Sequence, residues 1–510
     1  HRKKEGIEAL LDEALKTQTP VELLNGCLLG AMKDVGDRFG AGELILPFVL
    51  QSAEVMKKAV AHLEQFLEKD DARTKGVVVL ATVFGDVHDI GKNLVHTILA
   101  NNGYTVHDLG KQVPLHAIIE KATQVHADAI GLSALLVSTS KQMPLCVQEL
   151  HRAGLRFPVI VGGAAINRAY VSRIGFVEGD TYYDPGVFYA KDAFEGLALM
   201  DRLREPAERE RLRAQTEADA RAAVARRAQR ASTVTTNGET PRRSNVARGV
   251  PIPRPPFWGP REMLDIKVDE VFRSMDVRSL YRLQWGAKST KGDEWRRLLH
   301  DDFRPRLDRM KREAIATGWL TPRALYGYYP AASDGGDLVV FRPNDATEEL
   351  ARFAFPRQPD APYLCIADYF APIDSERRDV VAFQAVTVGS EASARYTGLQ
   401  DRGEFSEALF EHGLAVEAAE GLAELVHRRI RRELGLVPGQ GKRYSWGYPA
   451  CPNVEDHAIF FGFMTCETIG LEMTEGFALV PEQSTVAIVV HHPEATYFSA
   501  LGAGVTVGAM

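Results

Sequence analysis

Val77-Val78-Val79-Leu80-Ala81-Thr82-Val83-Phe84, followed at once by Gly85-Asp86-Val87-His88-Asp89-Ile90-Gly91, is the stretch on which the fold of this chain turns. The first half is an almost unbroken apolar run of strand length, as expected of a strand buried on both faces. The second half is a glycine-bounded turn that carries a His and two carboxylates. Downstream the pattern alternates. Helices are expected over 93–100, 115–126, 142–153 and 190–203, with strands over 105–109, 129–136 and 159–161 between them. Apolar strands alternating with helices predict a flavodoxin-like α/β domain, a parallel sheet covered on both faces. Such sheets bind ligands at the carboxyl ends of their strands, which is where the His88 turn falls.

Upstream, residues 1–72 place apolar side chains at helical spacing (Ile7, Leu10, Leu11, Ala14, Leu15; Leu23, Leu24, Leu28; 49–63), punctuated by Pro20 and by Gly40 to Gly42. Four short helices packed as a bundle are expected there. Downstream, residues 205–256 pass from an Arg, Ala and Glu stretch that suits an exposed helix (204–230) to a Ser, Thr, Asn and Pro stretch (232–256) that suits a linker. Apolar content returns from Phe257, with strands expected over 338–341, 380–388 and 486–490 and a long amphipathic helix over 405–434. That makes a separate α+β domain, so the chain is multidomain. The expected boundaries are 1–72, 75–204, a linker over 205–256, and 257–510.

Composition agrees with this division. At 510 residues the chain has room for about three domains. It is 45% hydrophobic and 25% charged, with a net charge of −7, so the surface as a whole does not advertise nucleic-acid or membrane binding. No apolar run reaches the roughly 18 residues that span a bilayer. The start, His1-Arg2-Lys3-Lys4, lacks an initiator Met and suggests a cut inside a longer protein. Five scattered cysteines without a Cys-x-x-Cys pair argue against a disulfide framework or structural zinc site and fit the cytoplasm.

The chemistry of the His88 turn follows from its residue types. A neutral imidazole donates well to a transition metal. A carboxylate two residues away can hold the other ring N–H, fixing the tautomer and strengthening the donor. Gly91 leaves room for something bulky. Taken alone, the loop is only suggestive, since a lone His after a strand is more often a surface or capping residue. Its spacing to other motifs is more specific. After Gly91 come 41 residues, then Ser133-Ala134-Leu135; after Leu135 come 26, then Gly162-Gly163. Asp-x-His-x-x-Gly, Ser-x-Leu and Gly-Gly at these intervals resemble the signature of corrinoid-binding domains that hold cobalamin base-off, with a protein His on cobalt. The resemblance implies His88 as lower axial ligand to cobalt and Asp86 as its partner. Gly85, Val87, Asp89 and Gly91 would line the turn, with Ser133, Gly162 and Gly163 along the nucleotide tail and Ala193 near the last helix. It also implies a hydroxyl that completes a relay from the Asp, which falls on Thr139 where Ser is usual. Val137 stands where some relatives carry Thr.

Three further stretches resemble parts of cobalamin-dependent methionine synthase. Gly36-Asp37-Arg38-Phe39-Gly40 and Leu46-Pro47-Phe48-Val49 are similar to the cap over the upper face of cobalamin, which implies that Phe39 and Leu46 shield it, with Asn25 at the corrin edge. By themselves both could be bundle core. Arg443-Tyr444-Ser445-Trp446-Gly447-Tyr448-Pro449-Ala450-Cys451-Pro452 resembles the S-adenosylmethionine loop of the activation domain. Arg443 can fork onto a ligand carboxylate, and Gly447 permits close backbone approach. Asp276, Glu420, Tyr448 and Tyr497 match further positions of that site. Tyr444-Ser445-Trp446 departs from the usual Pro-Ala-Pro, which puts the stiffness of the loop in question.

The resemblance implies cobalamin-dependent methyl transfer in methionine synthesis, from methyltetrahydrofolate to homocysteine through methylcobalamin. This part would hold the cobalamin and reductively methylate cob(II)alamin with S-adenosylmethionine. The implied partners are homocysteine- and methyltetrahydrofolate-binding modules of the same enzyme, with zinc expected only in that missing half, and a flavodoxin-type electron donor. No nucleic acid or membrane partner is expected. Two other readings remain at this point. A corrinoid shuttle protein of another methyltransferase system would lack the C-terminal domain. A non-enzymatic cobalamin sensor would need a DNA-binding module.

Overall fold

Thr19-Pro20-Val21-Glu22 sets the register of the N-terminal helices. The Thr19 hydroxyl accepts from the Glu22 N–H at 3.2 Å, and the Glu22 carboxylate accepts from the Thr19 N–H at 2.9 Å. This reciprocal capping satisfies two N–H groups that the start of a helix would otherwise leave without partners. The computed structural model describes residues 4–41, 43–66, 74–164, 166–234, 243–375 and 377–500. The N-terminal helices are α1 (Ile7–Ala14), α2 (Pro20–Glu22), α3 (Leu29–Gly40) and α4 (Leu46–Leu63). A π turn, Leu23–Leu28, joins α2 to α3 without a break, with only Gly26, Gly30 and Gly36 between Pro20 and Gly40 to weaken a helix. Leu11, Leu23, Ala59 and Leu63 form one core, and Met32, Val49, Ala53 and Met56 a second.

The α/β part contains β1 (Val77–Thr82), α5 (Ile90–Asn101), β2 (Thr105–Asp108), α6 (Leu115–Gln124), β3 (Ala129–Ser133), α7 (Val137–Ser140) and α8 (Gln142–Arg152). It continues with β4 (Val159–Gly162), α9 (Arg168–Ile174), a small hairpin of β5 (Phe176–Glu178) and β6 (Thr181–Tyr182), β7 (Val187–Tyr189) and α10 (Ala193–Arg204). The five-stranded sheet runs β2-β1-β3-β4-β7, all parallel. This is the flavodoxin-like order, whose switch point lies between β1 and β3. The His88 turn follows β1, and Ser133 closes β3 beside it.

Several elements differ from expectation. The third strand ends at Ser133, not Leu136, because the Leu135 and Leu136 N–H groups turn to the Asp86 carboxylate. The last helix starts at Ala193, not Ala190, because Asp192 caps it by accepting from the Glu195 N–H at 2.9 Å. The fifth strand β7 and helix α9 were not expected; each is too short to show a period. α11 (Pro206–Val234) extends the expected exposed helix.

The C-terminal part is built on an antiparallel sheet in the order β11-β10-β9-β12-β16-β13, with β8 paired to β9. The strands are β8 (Gly259–Met263), β9 (Arg323–Asp334), β10 (Asp337–Arg342), β11 (Asp345–Ala354), β12 (Asp379–Thr387), β13 (Lys442–Ser445) and β16 (Ser484–Val490), with a separate pair β14 (Glu472–Met473) and β15 (Leu479–Val480). Its helices are α12 (Val268–Ser274), α13 (Val277–Ser279), α14 (Gly292–Leu298), α15 (Arg304–Thr317), α16 (Ser390–Asp401), α17 (Phe405–Glu433) and α18 (Asp456–Phe461). All nine residues of β12 are buried. Val381, Phe383 and Ala385 face an aromatic core with Phe353, Trp446 and Phe460. On the other face Gln384 Nε2 donates to the Ala423 carbonyl of α17 at 3.1 Å. Contacts divide the chain into two compact units: His1–Asn237 with Trp285–Lys291 and Leu399–Phe410, and the remainder. Among the described residues, no helix is long and apolar enough to cross a membrane.

Candidate cofactor and ligand sites

The turn after β1 is organised by one buried carboxylate. Asp86 is fully buried. Its Oδ1 meets His88 Nδ1 at 2.7 Å and accepts from the His88 N–H at 3.0 Å. Its Oδ2 accepts from the Leu135 N–H at 2.8 Å and from Thr139 Oγ1 at 2.5 Å. Burial pushes this carboxyl's pKa up. The hydrogen bond and charge of His88, then Thr139 and the backbone, outweigh burial and hold it below the ordinary value. Three residues from two distant stretches of chain are thus brought together as Asp86, His88 and Thr139. With Nδ1–H engaged by a carboxylate, the imidazole keeps its lone pair on Nε2, the form that ligates a metal.

The glycines divide by cause. Gly163 has φ +119°, and a Cβ there would lie 2.0 Å from the Ala134 carbonyl oxygen. A Cβ on Gly162 would lie 2.9 Å from the Ala190 oxygen. Both are therefore demanded by loop packing at the ends of β3 and β4. A Cβ on Gly91 would meet no described atom within 4 Å, so packing does not require glycine there. Gly85 takes a left-handed conformation, φ +80°. Val87 is buried, Asp89 stands at the start of α5, and Ala193 is buried at the start of α10. Phe39 packs on Phe194, with ring centroids 5.7 Å apart, and Leu46 is half-buried at the start of α4. The side chains of Asn25 and Val137 lie outside the described residues.

The second site lies where β13 faces α17. Arg443 Nη2 donates to Glu420 Oε2 at 2.6 Å, and Tyr448 Oη donates to Glu420 Oε1 at 3.2 Å. Arg443 Nη1 is buried with no hydrogen-bond partner among the described residues, so one arm of the guanidinium fork is unsatisfied there. A buried cationic donor left so is costly unless a ligand carboxylate takes it. Asp276 accepts from the Arg278 N–H at 2.9 Å and from Ser279 Oγ at 2.7 Å, and Ser279 first among these holds its carboxyl below the usual range. Tyr497 is 67% exposed, its ring edge-on to Tyr444 at 5.7 Å. Gly447 takes φ +86°, and its N–H donates to the Cys451 carbonyl at 2.9 Å.

Profiles of known families match along most of the chain. "Vitamin B12 dependent methionine synthase, activation domain" covers residues 266–503, and "B12 binding domain" profiles cover 76–195 and 1–64. A methionine synthase of Mycobacterium tuberculosis (strain ATCC 25618 / H37Rv) is 40% identical over 97% of this chain and 45% of its own length. The chain belongs to the cobalamin-dependent methionine synthase family. A second relative, the methionine synthase of Mycobacterium leprae (strain TN), is 39% identical over 97% of this chain. The chain spans about 45% of the length of these curated relatives. A solved MetH reactivation domain bound to AdoHcy aligns with 50% of this chain and 84% of its own at 24% identity, with a TM-score of 0.45.

Within this methionine synthase framework the structure adds residues that the sequence did not single out. Glu417, one turn before Glu420 on α17, is buried and its carboxyl is pushed up to about 7, first by burial, then by the charges of Glu420 and Asp276. Lys92, buried in α5, donates to Asp108 Oδ1 at the end of β2, at 2.6 Å. The departures from Pro-Ala-Pro also find a cause. Trp446 fills the aromatic core and donates from Nε1 to Asp456 Oδ2 at 3.2 Å, while Tyr444 Oη donates to the Thr496 carbonyl at 2.6 Å. Side-chain anchoring holds this loop where proline restricts φ in the usual sequence. No sequence spacing signals these contacts, since each joins residues far apart in number or hidden on a helix's inner face.

Proposed function

We propose that this chain is the cobalamin-holding and reactivating part of a cobalamin-dependent methionine synthase: a cap over 1–72, a cobalamin domain over 75–204, a linker over 205–256 and an S-adenosylmethionine-binding activation domain over 257–510. The observation that carries this reading is Arg443, a half-buried side chain whose Nη2 pairs with Glu420 and whose buried Nη1 has no partner among the described residues, in a chain that also holds the Asp86–His88–Thr139 cluster. A corrinoid shuttle protein or a sensor gives no reason for the activation domain matched over 266–503.

Cobalamin, when bound, supplies the cobalt that takes up and passes on a methyl group. The protein's part is to orient and to move protons. Asp86 fixes the His88 tautomer and turns Nε2 into the donor that would face cobalt. Thr139 holds the other carboxylate oxygen, so a proton gained by the pair can be shared along the Asp86–Thr139 bond. Gly91 offers the space, and Ser133, Gly162 and Gly163 line the ends of β3 and β4, along which the nucleotide tail would run. Phe39 and Leu46 would cover the upper face, with Asn25 at the corrin edge. At the second site Arg443 would take the S-adenosylmethionine carboxylate, Asp276 and Glu420 its ammonium, and Gly447, Tyr448 and Tyr497 its remaining edges.

The whole enzyme's reaction, methyl transfer from methyltetrahydrofolate to homocysteine, belongs to this proposal, as do zinc in the homocysteine module and a flavodoxin-type electron donor. A cytoplasmic location is part of the same reading. Calorimetry of the full chain with S-adenosylmethionine tests it. The parent should bind, and Arg443→Ala should lose about 2 to 3 kcal/mol, the scale of a buried charge-assisted pair. Equal affinities would remove Arg443 from the site.

A further inference from the structure

Glu417 is a buried titratable group beside the second site, one turn from Glu420, and has no role in the function proposed above. It is 5% exposed and lies on the face of α17 that meets the 271–276 segment. Gly421, one turn further along, makes that approach possible. A Cβ there would come within 2.8 Å of Met275 Cγ and 3.1 Å of the Met275 nitrogen and the Val271 oxygen. The close approach brings the 271–276 segment against the face of α17 that carries Glu417. The charged and titratable groups that act on it are Asp276 from this segment, Glu420 from α17 and Tyr448 from the loop after β13, and Glu420 in turn pairs with Arg443 of β13. Arg443 is already engaged by Glu420, so the local balance around Glu417 is acidic.

Such a cluster suits a ligand with more positive than negative charge. S-adenosylmethionine carries an ammonium, a sulfonium and one carboxylate. Its demethylated product lacks the sulfonium charge. We propose that Glu417 is the residue by which this site prefers the sulfonium form: it is a neutral acid in the ligand-free protein, releases a proton to solvent when the cationic ligand enters, and recovers it once the methyl and its charge have gone. This rests on the S-adenosylmethionine reading of the site. The carboxyl's position near 7, set first by burial and then by Glu420 and Asp276, agrees with a group that changes state at neutral pH. Proton and charge balance without another reactant. One O–H bond of Glu417 breaks on binding, and the proton goes to buffer. The same bond re-forms when the uncharged thioether remains.

Calorimetry of the full chain at pH 7, repeated in buffers of different ionisation enthalpy, reads the proton count directly. Binding of S-adenosylmethionine should release about half a proton, because a group with a pKa near 7 is half protonated there. S-adenosylhomocysteine should release clearly less. Glu417→Gln keeps the shape of the neutral acid and should fold. It should still bind both ligands, with no proton release and with a preference for the sulfonium form lowered about tenfold, the equivalent of one pKa unit. Binding by the parent without proton release, or an unchanged preference in the variant, overturns the role of Glu417 alone. Failure of the parent to bind S-adenosylmethionine overturns this inference and the site together.

Discussion

Two residues in this chain titrate against their surroundings in opposite senses, and each makes a prediction at its own position. Asp86 is buried yet held charged by hydrogen bonds from His88, Leu135, Leu136 and Thr139, and it fixes His88. His88→Ala should therefore still take up cobalamin through the tail-binding strand ends but lose the spectrum of an imidazole-ligated corrinoid. An unchanged absorbance spectrum would remove His88 as the ligand. Glu417 is the reverse case, an acid whose folded pKa is raised to about 7. A raised carboxyl pKa leaves stability untouched below the unfolded value of roughly 4.3, then costs stability as pH rises to the folded value. Urea unfolding should show Glu417→Gln matching the parent near pH 4 and exceeding it by about 1 to 3 kcal/mol at pH 8. A variant less stable than the parent at pH 8 would contradict the assignment of a neutral acid. The legibility of these residues follows their geometry. Asp86 and His88 are two positions apart, so their pairing is local and visible. Thr139 came only through resemblance. Glu417 reads as one more polar residue of a long helix until Gly421 brings residues 271–276 against it.

At the scale of elements, β9 was not expected although nearly all of it is buried, because tyrosines, a glycine and a proline break its apolar run, while β1, β12 and β16 announced themselves as continuous apolar runs. Short pieces did not. β7 has three residues between a Gly and a capping Asp, and β13 four polar or aromatic ones, so neither gives a pattern to count. The end of β3 was misplaced because a side chain, Asp86, took hydrogen bonds that a strand would give to its neighbour. The close meeting of strand ends also makes a sharp test. Gly163→Ala must fit a Cβ against the Ala134 carbonyl at a backbone angle that suits glycine. It should cost about 3 kcal/mol or more and lower the melting temperature by several degrees. Gly91→Ala meets no described atom within 4 Å and should leave the melting temperature nearly unchanged while weakening cobalamin uptake. Equal melting temperatures for the two variants would contradict this division of the glycines.

At the scale of the whole molecule, the order of parts carries the function. Matches to B12-binding domains over 1–64 and 76–195 precede an activation domain over 266–503, and the two compact units each hold one of the sites described. The order was legible because each part changes the sequence pattern: helical period, then alternating strands and helices, then a polar stretch, then a new mixed domain. What the pattern could not give is which buried groups remain unsatisfied, and Arg443 Nη1 is the one on which the functional proposal rests. The central claim is that one chain holds cobalamin and also delivers a methyl group to it from S-adenosylmethionine. The most direct test is to incubate the full chain with cobalamin, a chemical reductant and S-adenosylmethionine labelled in its methyl group, then to follow label and absorbance together. The label should move to the corrinoid as the methyl-corrinoid spectrum grows, and Arg443→Ala should slow both. Tight binding of both molecules with no label reaching the corrinoid would contradict the claim.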